Sequence, residues 1–145
     1  MHRLLAQSRR QDGQALVETA LVIPVLLILA FGVIFVGRVT HATVAVQAAG
    51  REAGRTLATA PSEAEGLATG EERGGAVAAG YGLARDQFEL LLDGGGFERG
   101  GMATARASYR VELADLPLLD RAAVTVSSTH QERIERYRSR ETTEP

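Results

Sequence analysis

Residues 12–37 read DGQALVETALVIPVLLILAFGVIFVG, and they decide the architecture of the chain. From residue 19 to residue 37 there are nineteen consecutive residues without a charge, nearly all of them apolar. At about 1.5 Å of rise per residue a helix of that length spans roughly 28 Å, close to the hydrocarbon thickness of a bilayer. One membrane crossing follows. A removable signal peptide fits less well, because such apolar cores run to about 7–15 residues and end at a small-x-small cleavage site. The triplet that would serve, Ala58-Thr59-Ala60, lies far downstream and is followed by Pro61.

Outward from this segment, charge predicts its orientation. Arg3, Arg9 and Arg10 against Asp12 precede it, which favours a cytoplasmic N-terminus. Arg38, Arg51 and Arg55 follow on the far side, but the segment they begin exceeds the roughly 60 residues over which loop charge directs topology. The expected layout is a basic cytoplasmic leader at 1–13, a transmembrane helix at 14–37, an extracytoplasmic domain at 38–138 and a disordered tail at 139–145.

Composition bounds what that domain does. The 145 residues hold a leader, one span and a body of about a hundred residues, enough for a modest core. There is no cysteine, which excludes thiol catalysis and cysteine metal sites. All sixteen basic residues are arginine, which excludes a Walker A phosphate loop and a lysine Schiff base. A net charge of −2 gives no reason to expect nucleic-acid binding, which usually shows as a basic face with interleaved aromatics. His2, His41 and His130 are scattered, without metal-ligand spacing such as H-E-x-x-H. The pattern predicts no catalytic residues, no metal and no cofactor.

Glu18 stands at the mouth of the apolar segment. A carboxylate at the centre of a span costs about 2.5–3.5 kcal/mol on insertion scales and less near an end. A headgroup-level glutamate near the positive end of the helix dipole is the plainer explanation, worth about 0.3–1 kcal/mol. Yet Gly13 lies five positions before it, behind a short basic leader.

Gly13, Gln14-Ala15-Leu16-Val17, Glu18 and the apolar span together resemble the type IV prepilin processing motif. The resemblance implies that a membrane prepilin peptidase cuts after Gly13, leaving Gln14 as the new amino terminus and Glu18 as the fifth residue. Glycine admits the backbone to a narrow protease cleft in an extended conformation. The new ammonium and the Glu18 carboxylate of packed neighbours would pair where water is scarce, and an unpaired charge there would be costly. The wider run RRQDGQALVETALVIPVLLILAFGVIFVGR, then QAAGREAGRTLAT, is similar to the TadE-like family of pseudopilins or minor pilins of tight-adherence (Flp) pili. It shares the arginine-led leader, G-Q-A-x-x-E, a proline in the span, Gly-Arg at its exit and A-A-x-R-E-x-x-R, over residues 9 to about 59. What this implies is a single-pass protein of the cytoplasmic membrane that takes part in pilus assembly or secretion. Its implied partners are the peptidase, other pilins or pseudopilins, the Tad assembly machinery and the lipid bilayer. One departure is Thr19, where such pilins often carry an aromatic residue. The alternative is an unprocessed single-span interaction protein in which the spacing is accidental.

Beyond the span the expected fold class is α+β: the first helix continuing outside the membrane, then a small antiparallel sheet. No proline interrupts residues 38–60, and Ala45, Ala49 and Ala53, with Gly50 and Gly54 beside them, form a small-residue stripe for close helix packing. Ser62 and Glu65 predict the start of a second helix extending toward Arg85, weakened by Gly66, Gly70, Gly74, Gly75, Gly80 and Gly82 at up to about 1 kcal/mol each. GYGLAR at 80–85 lacks the third glycine of a dinucleotide fingerprint and follows no strand. DGGGFERGG at 93–101 predicts a flexible hairpin connection. It joins a strand in QFELLL to one in MATARASYRVEL, where Ala103, Ala105, Ala107, Tyr109, Val111 and Leu113 alternate with polar residues. A third strand is expected at AAVTVSST after a turn at Pro117, with Asp115 and Asp120 solvated beside it. The arginines and glutamates from Glu132 to Glu144 predict a frayed helical face.

Overall fold

The computed structural model describes residues 2–113 and 123–134, with side chains from Gln14 onward. Two helices precede three strands: α1 (His2–Thr59), α2 (Glu63–Gly80), β1 (Phe88–Asp93), β2 (Met102–Glu112) and β3 (Ala123–Arg133). The fold is α+β, with an antiparallel sheet in the order β1-β2-β3. The chain forms two compact units, Met1–Gly37 and Arg38–Pro145.

The first unit is helical and carries Pro24 inside α1. Proline there removes the bond that its N–H would donate to the Ala20 carbonyl. Every residue from 14 to 30 is exposed. Leu16 at 71%, Ile28 at 67% and Val33 at 74% exposure lie on different sides of the helix, so its apolar surface has no polar face opposite. The helix is long and apolar enough to cross a membrane. Its internal hydroxyl is satisfied locally: Thr19 Oγ1 donates to the Ala15 carbonyl at 2.9 Å.

The second unit is built on small residues. Ala45, Ala49, Ala53 and Leu57 recur every fourth position of α1, and each is 0% exposed. Ser62 caps α2, its Oγ accepting from the Glu65 N–H at 3.4 Å, and Glu63 and Glu65 add negative charge to the first turn. The glycines do not prevent this helix. Gly66, Gly70 and Gly74 line its buried face together with Ala78, and their backbone approaches α1 directly. A Cβ at Gly66 would stand 2.8 Å from Ala60 Cβ, and one at Gly70 would stand 3.1 Å from the Ala53 carbonyl oxygen. What glycine costs in helix propensity is recovered in proximity.

Both helices cover one face of the sheet. Gly50 and Gly54 of α1 lie against Ala107 and Ala105 of β2, while Gly70 and Gly74 of α2 lie against Leu92 and Leu90 of β1. The pairing Leu90↔Ala107↔Ser128 and Leu92↔Ala105↔His130 carries that inner face across all three strands. Ala103, Ala105, Ala107 and Val111 are buried, as their alternation predicts.

The connection between β1 and β2 is a built turn. Asp93 Oδ1 accepts from the Gly95 N–H at 2.8 Å, and the Phe97 N–H donates to Gly94 O at 2.9 Å. Phe97 then packs against the cluster of Leu57, Ala58, Ala103 and Ile134. β3 runs further than its sequence suggests. Glu132 and Arg133, expected in a helical tail, pair instead with Ala103 and Met102 of β2, and Ile134 is buried. The hydrophobic reward for placing Ile134 on the core outweighs the helical preference of the charged residues beside it. The Pro117 turn, Asp115, Asp120 and the tail beyond Ile134 lie outside the described residues.

Candidate functional site

The chemistry that the sequence singles out is concentrated at the entrance to the apolar segment. Gly13, Gln14 and Glu18 all lie within α1. Gln14 and Glu18 are one turn apart, so their side chains meet on one helix face: Gln14 Nε2 donates to Glu18 Oε1 at 3.4 Å. Glu18 is exposed, and the residues that flank it, Val17 at 61% and Leu21 at 70%, are exposed with it. Among the described residues, Gln14 is the partner that this carboxylate finds. The leader side chains Arg3, Arg9, Arg10 and Asp12, and His2, lie outside the described residues.

The small-residue positions divide between two jobs. Ala49 and Ala53 lie toward α2, where a Cβ built on Gly74 would stand 3.0 Å from the Ala53 Cβ and 3.3 Å from the Ala49 carbonyl oxygen, whereas Gly50 and Gly54 face the sheet. Ala45 is buried with them. The matching stripe on α2 escaped the sequence, although its signal was present: Gly66, Gly70 and Gly74 are spaced by four, as the alanines are.

The remaining histidines sit far apart in different roles. His41 Nε2 is 2.9 Å from the Tyr81 carbonyl oxygen, which can only accept, so this nitrogen carries the proton. The two rings stand 6.0 Å apart at 59°. His130 Nε2, on the inner face of β3, is buried and without a hydrogen-bond partner. Among the described residues no three of His, Cys, Asp and Glu are gathered as metal ligands require. A groove between α2 and β1 is lined by Ala68, Glu71, Glu72, Gly75, Arg85, Phe88 and Leu90.

GYGLAR proves to be a helix ending. The Leu83 N–H donates to Ala78 O at 3.0 Å and the Gly82 N–H to Ala79 O at 2.9 Å, with Gly82 at φ +76°. These two bonds form a Schellman motif, which stops α2 at Gly80 rather than nearer Arg85 and holds Tyr81 at its end.

Residues 13–55 match the model of the TadE-like protein family. The match begins at Gly13 and takes in Glu18, the apolar segment and the Ala45–Gly54 stripe. No curated protein and no solved structure matches the chain.

Proposed function

We propose that this chain is a membrane-anchored pseudopilin or minor pilin of a tight-adherence pilus system, processed after Gly13. The observation that carries the proposal is the register of Gly13 and Glu18 on a single helix that runs directly into an apolar span, inside the segment that matches the TadE-like family. In this reading the leader stays in the cytoplasm, α1 crosses the cytoplasmic membrane once, and the body from Arg38 onward lies outside. Cleavage places an ammonium at Gln14, one helical turn before the Glu18 carboxylate. In low dielectric this pair, within one chain or between neighbours, favours one axial stagger over others, because a slipped register leaves a charge unpaired. The protein acts by assembling, through its span and body, with other pilins or pseudopilins and the Tad machinery, and it carries no chemistry of its own.

Mass spectrometry of the protein extracted from membranes tests the proposal. The expected mature chain comprises the 132 residues from Gln14 to Pro145. A chain that still begins at Met1 in cells with active prepilin peptidase would favour an unprocessed single-span protein. A phosphatase fused after Pro145 is expected to be active outside the cell, and cytoplasmic labelling of that end would reject the orientation.

A further inference from the structure

Cleavage after Gly13, on which this inference rests, would leave a glutamine, Gln14, at the free amino terminus. A glutamine in that place carries its own electrophile. Once the new ammonium has given a proton to solvent, its nitrogen can attack Cδ of the same side chain. A C–N bond then closes a five-membered lactam, the Cδ–Nε2 bond breaks, and Nε2 leaves as ammonia with a proton taken from the amine. No oxidant or second reactant is needed. The product, a pyroglutamyl end, is uncharged.

Such an end would defeat the pairing proposed for the processed terminus. Glu18 would keep its charge at the entrance to an apolar helix and lose the ammonium, and a charge left unpaired in low dielectric is costly.

The geometry of α1 opposes the closure. Gln14 Nε2 donates to Glu18 Oε1 at 3.4 Å, and residue 18 lies about 6 Å further along the helix axis. The side chain of Gln14 is thereby drawn toward the C-terminal end of α1. Its backbone nitrogen points the other way, because the N–H groups of a helix face the N-terminus. To close the ring, the carboxamide has to release Glu18 and fold back over its own Cα. A hydrogen bond of this kind on an exposed helix slows a step that must break it by about twofold, and the charge on the acceptor strengthens the hold.

We infer that Glu18 protects the mature terminus: by holding the Gln14 carboxamide away from the new amine, it prevents the lactam and preserves the charge with which it pairs. Glu18 acts here as a positioning residue, on a modification of Gln14.

The full chain, produced with active prepilin peptidase and extracted from membranes in detergent, would be held at neutral pH while its peptide from Gln14 to Arg38 is followed by mass spectrometry. Gln14 is the only carboxamide in that peptide, so a mass lowered by one ammonia reports its closure alone. A synthetic peptide of residues 14–17, which ends before Glu18, sets the unrestrained rate. The mature chain is expected to close more slowly than this peptide by about twofold or more. Glu18→Ala is expected to close at the rate of the peptide, and Glu18→Gln, which keeps an acceptor, to retain most of the protection. If Glu18→Ala escapes cleavage, the comparison of the unaltered chain with the peptide decides alone. Equal rates in chain and peptide, or in the unaltered chain and Glu18→Ala, overturn the inference and leave cleavage intact, as does a mature chain found wholly pyroglutamyl. A chain that still begins at Met1 overturns the reading of Gly13 as a processing site, and this inference with it.

Discussion

Gly74 of α2 lies so near Ala53 of α1 that a Cβ built on the glycine would stand 3.0 Å from the alanine Cβ and 3.3 Å from the Ala49 carbonyl oxygen. Its neighbour Gly75 has nothing within 4 Å of the same construction. Two adjacent glycines in one helix thus answer to different physics. Gly74→Val is expected to destabilise the body by about 1–3 kcal/mol, because the added atoms force two helices apart. Gly75→Ala is expected to stabilise it by about 0.5–1 kcal/mol through helix propensity alone. Thermal unfolding in detergent, followed by circular dichroism, reads both; equal shifts of one sign would refute the close approach of the helices.

The end of α2 depends on Gly82 in the left-handed region, at φ +76°. Gly82→Ala places a Cβ where it meets the backbone, and is expected to cost about 1–2 kcal/mol. The obstacle is that local backbone alone, since apart from the glycine and its chain neighbours nothing lies within 4 Å of that Cβ. A melting temperature unchanged by the substitution would argue against the Schellman ending.

His130 carries a buried ring nitrogen with no partner. Leaving such a group unsatisfied costs about 1–3 kcal/mol, whereas an apolar side chain of similar size avoids the cost. His130→Leu is expected to raise the melting temperature, and His130→Ala to lower it by opening space beside Gly50. A larger loss for leucine than for alanine would mean that the nitrogen has a partner.

Glu18→Gln keeps the size of the side chain and one acceptor while removing its charge. Insertion and cleavage should survive, and association with partner pilins should fall. A glutamate that merely complements the helix dipole contributes about 0.3–1 kcal/mol and could be neutralised without loss of partners. Crosslinking of the variant beside the unaltered chain distinguishes the two, with the mass of each product checked for cleavage. Undiminished crosslinking would make the carboxylate incidental.

The elements that follow from local chemistry were legible before any coordinates. Nineteen uncharged residues make a helix long and apolar enough to cross a membrane, and the alternation from Ala103 to Leu113 assigns an inner face to β2 by a period of two. Ser62 announces α2 through the hydrogen bond that its side chain offers the first turn. Each of these signals is carried by residues close in sequence. Tertiary structure decided the rest, because the deciding partner is remote. Gly66, Gly70 and Gly74 weaken an isolated helix and strengthen this one only because α1 lies against them. Glu132 and Arg133 belong to β3 because β2 offers them a ladder and the core offers Ile134 a place. His41 finds Tyr81 across forty residues, a pairing that no periodicity encodes, since it exists only once the Schellman turn has brought the Tyr81 carbonyl against α1.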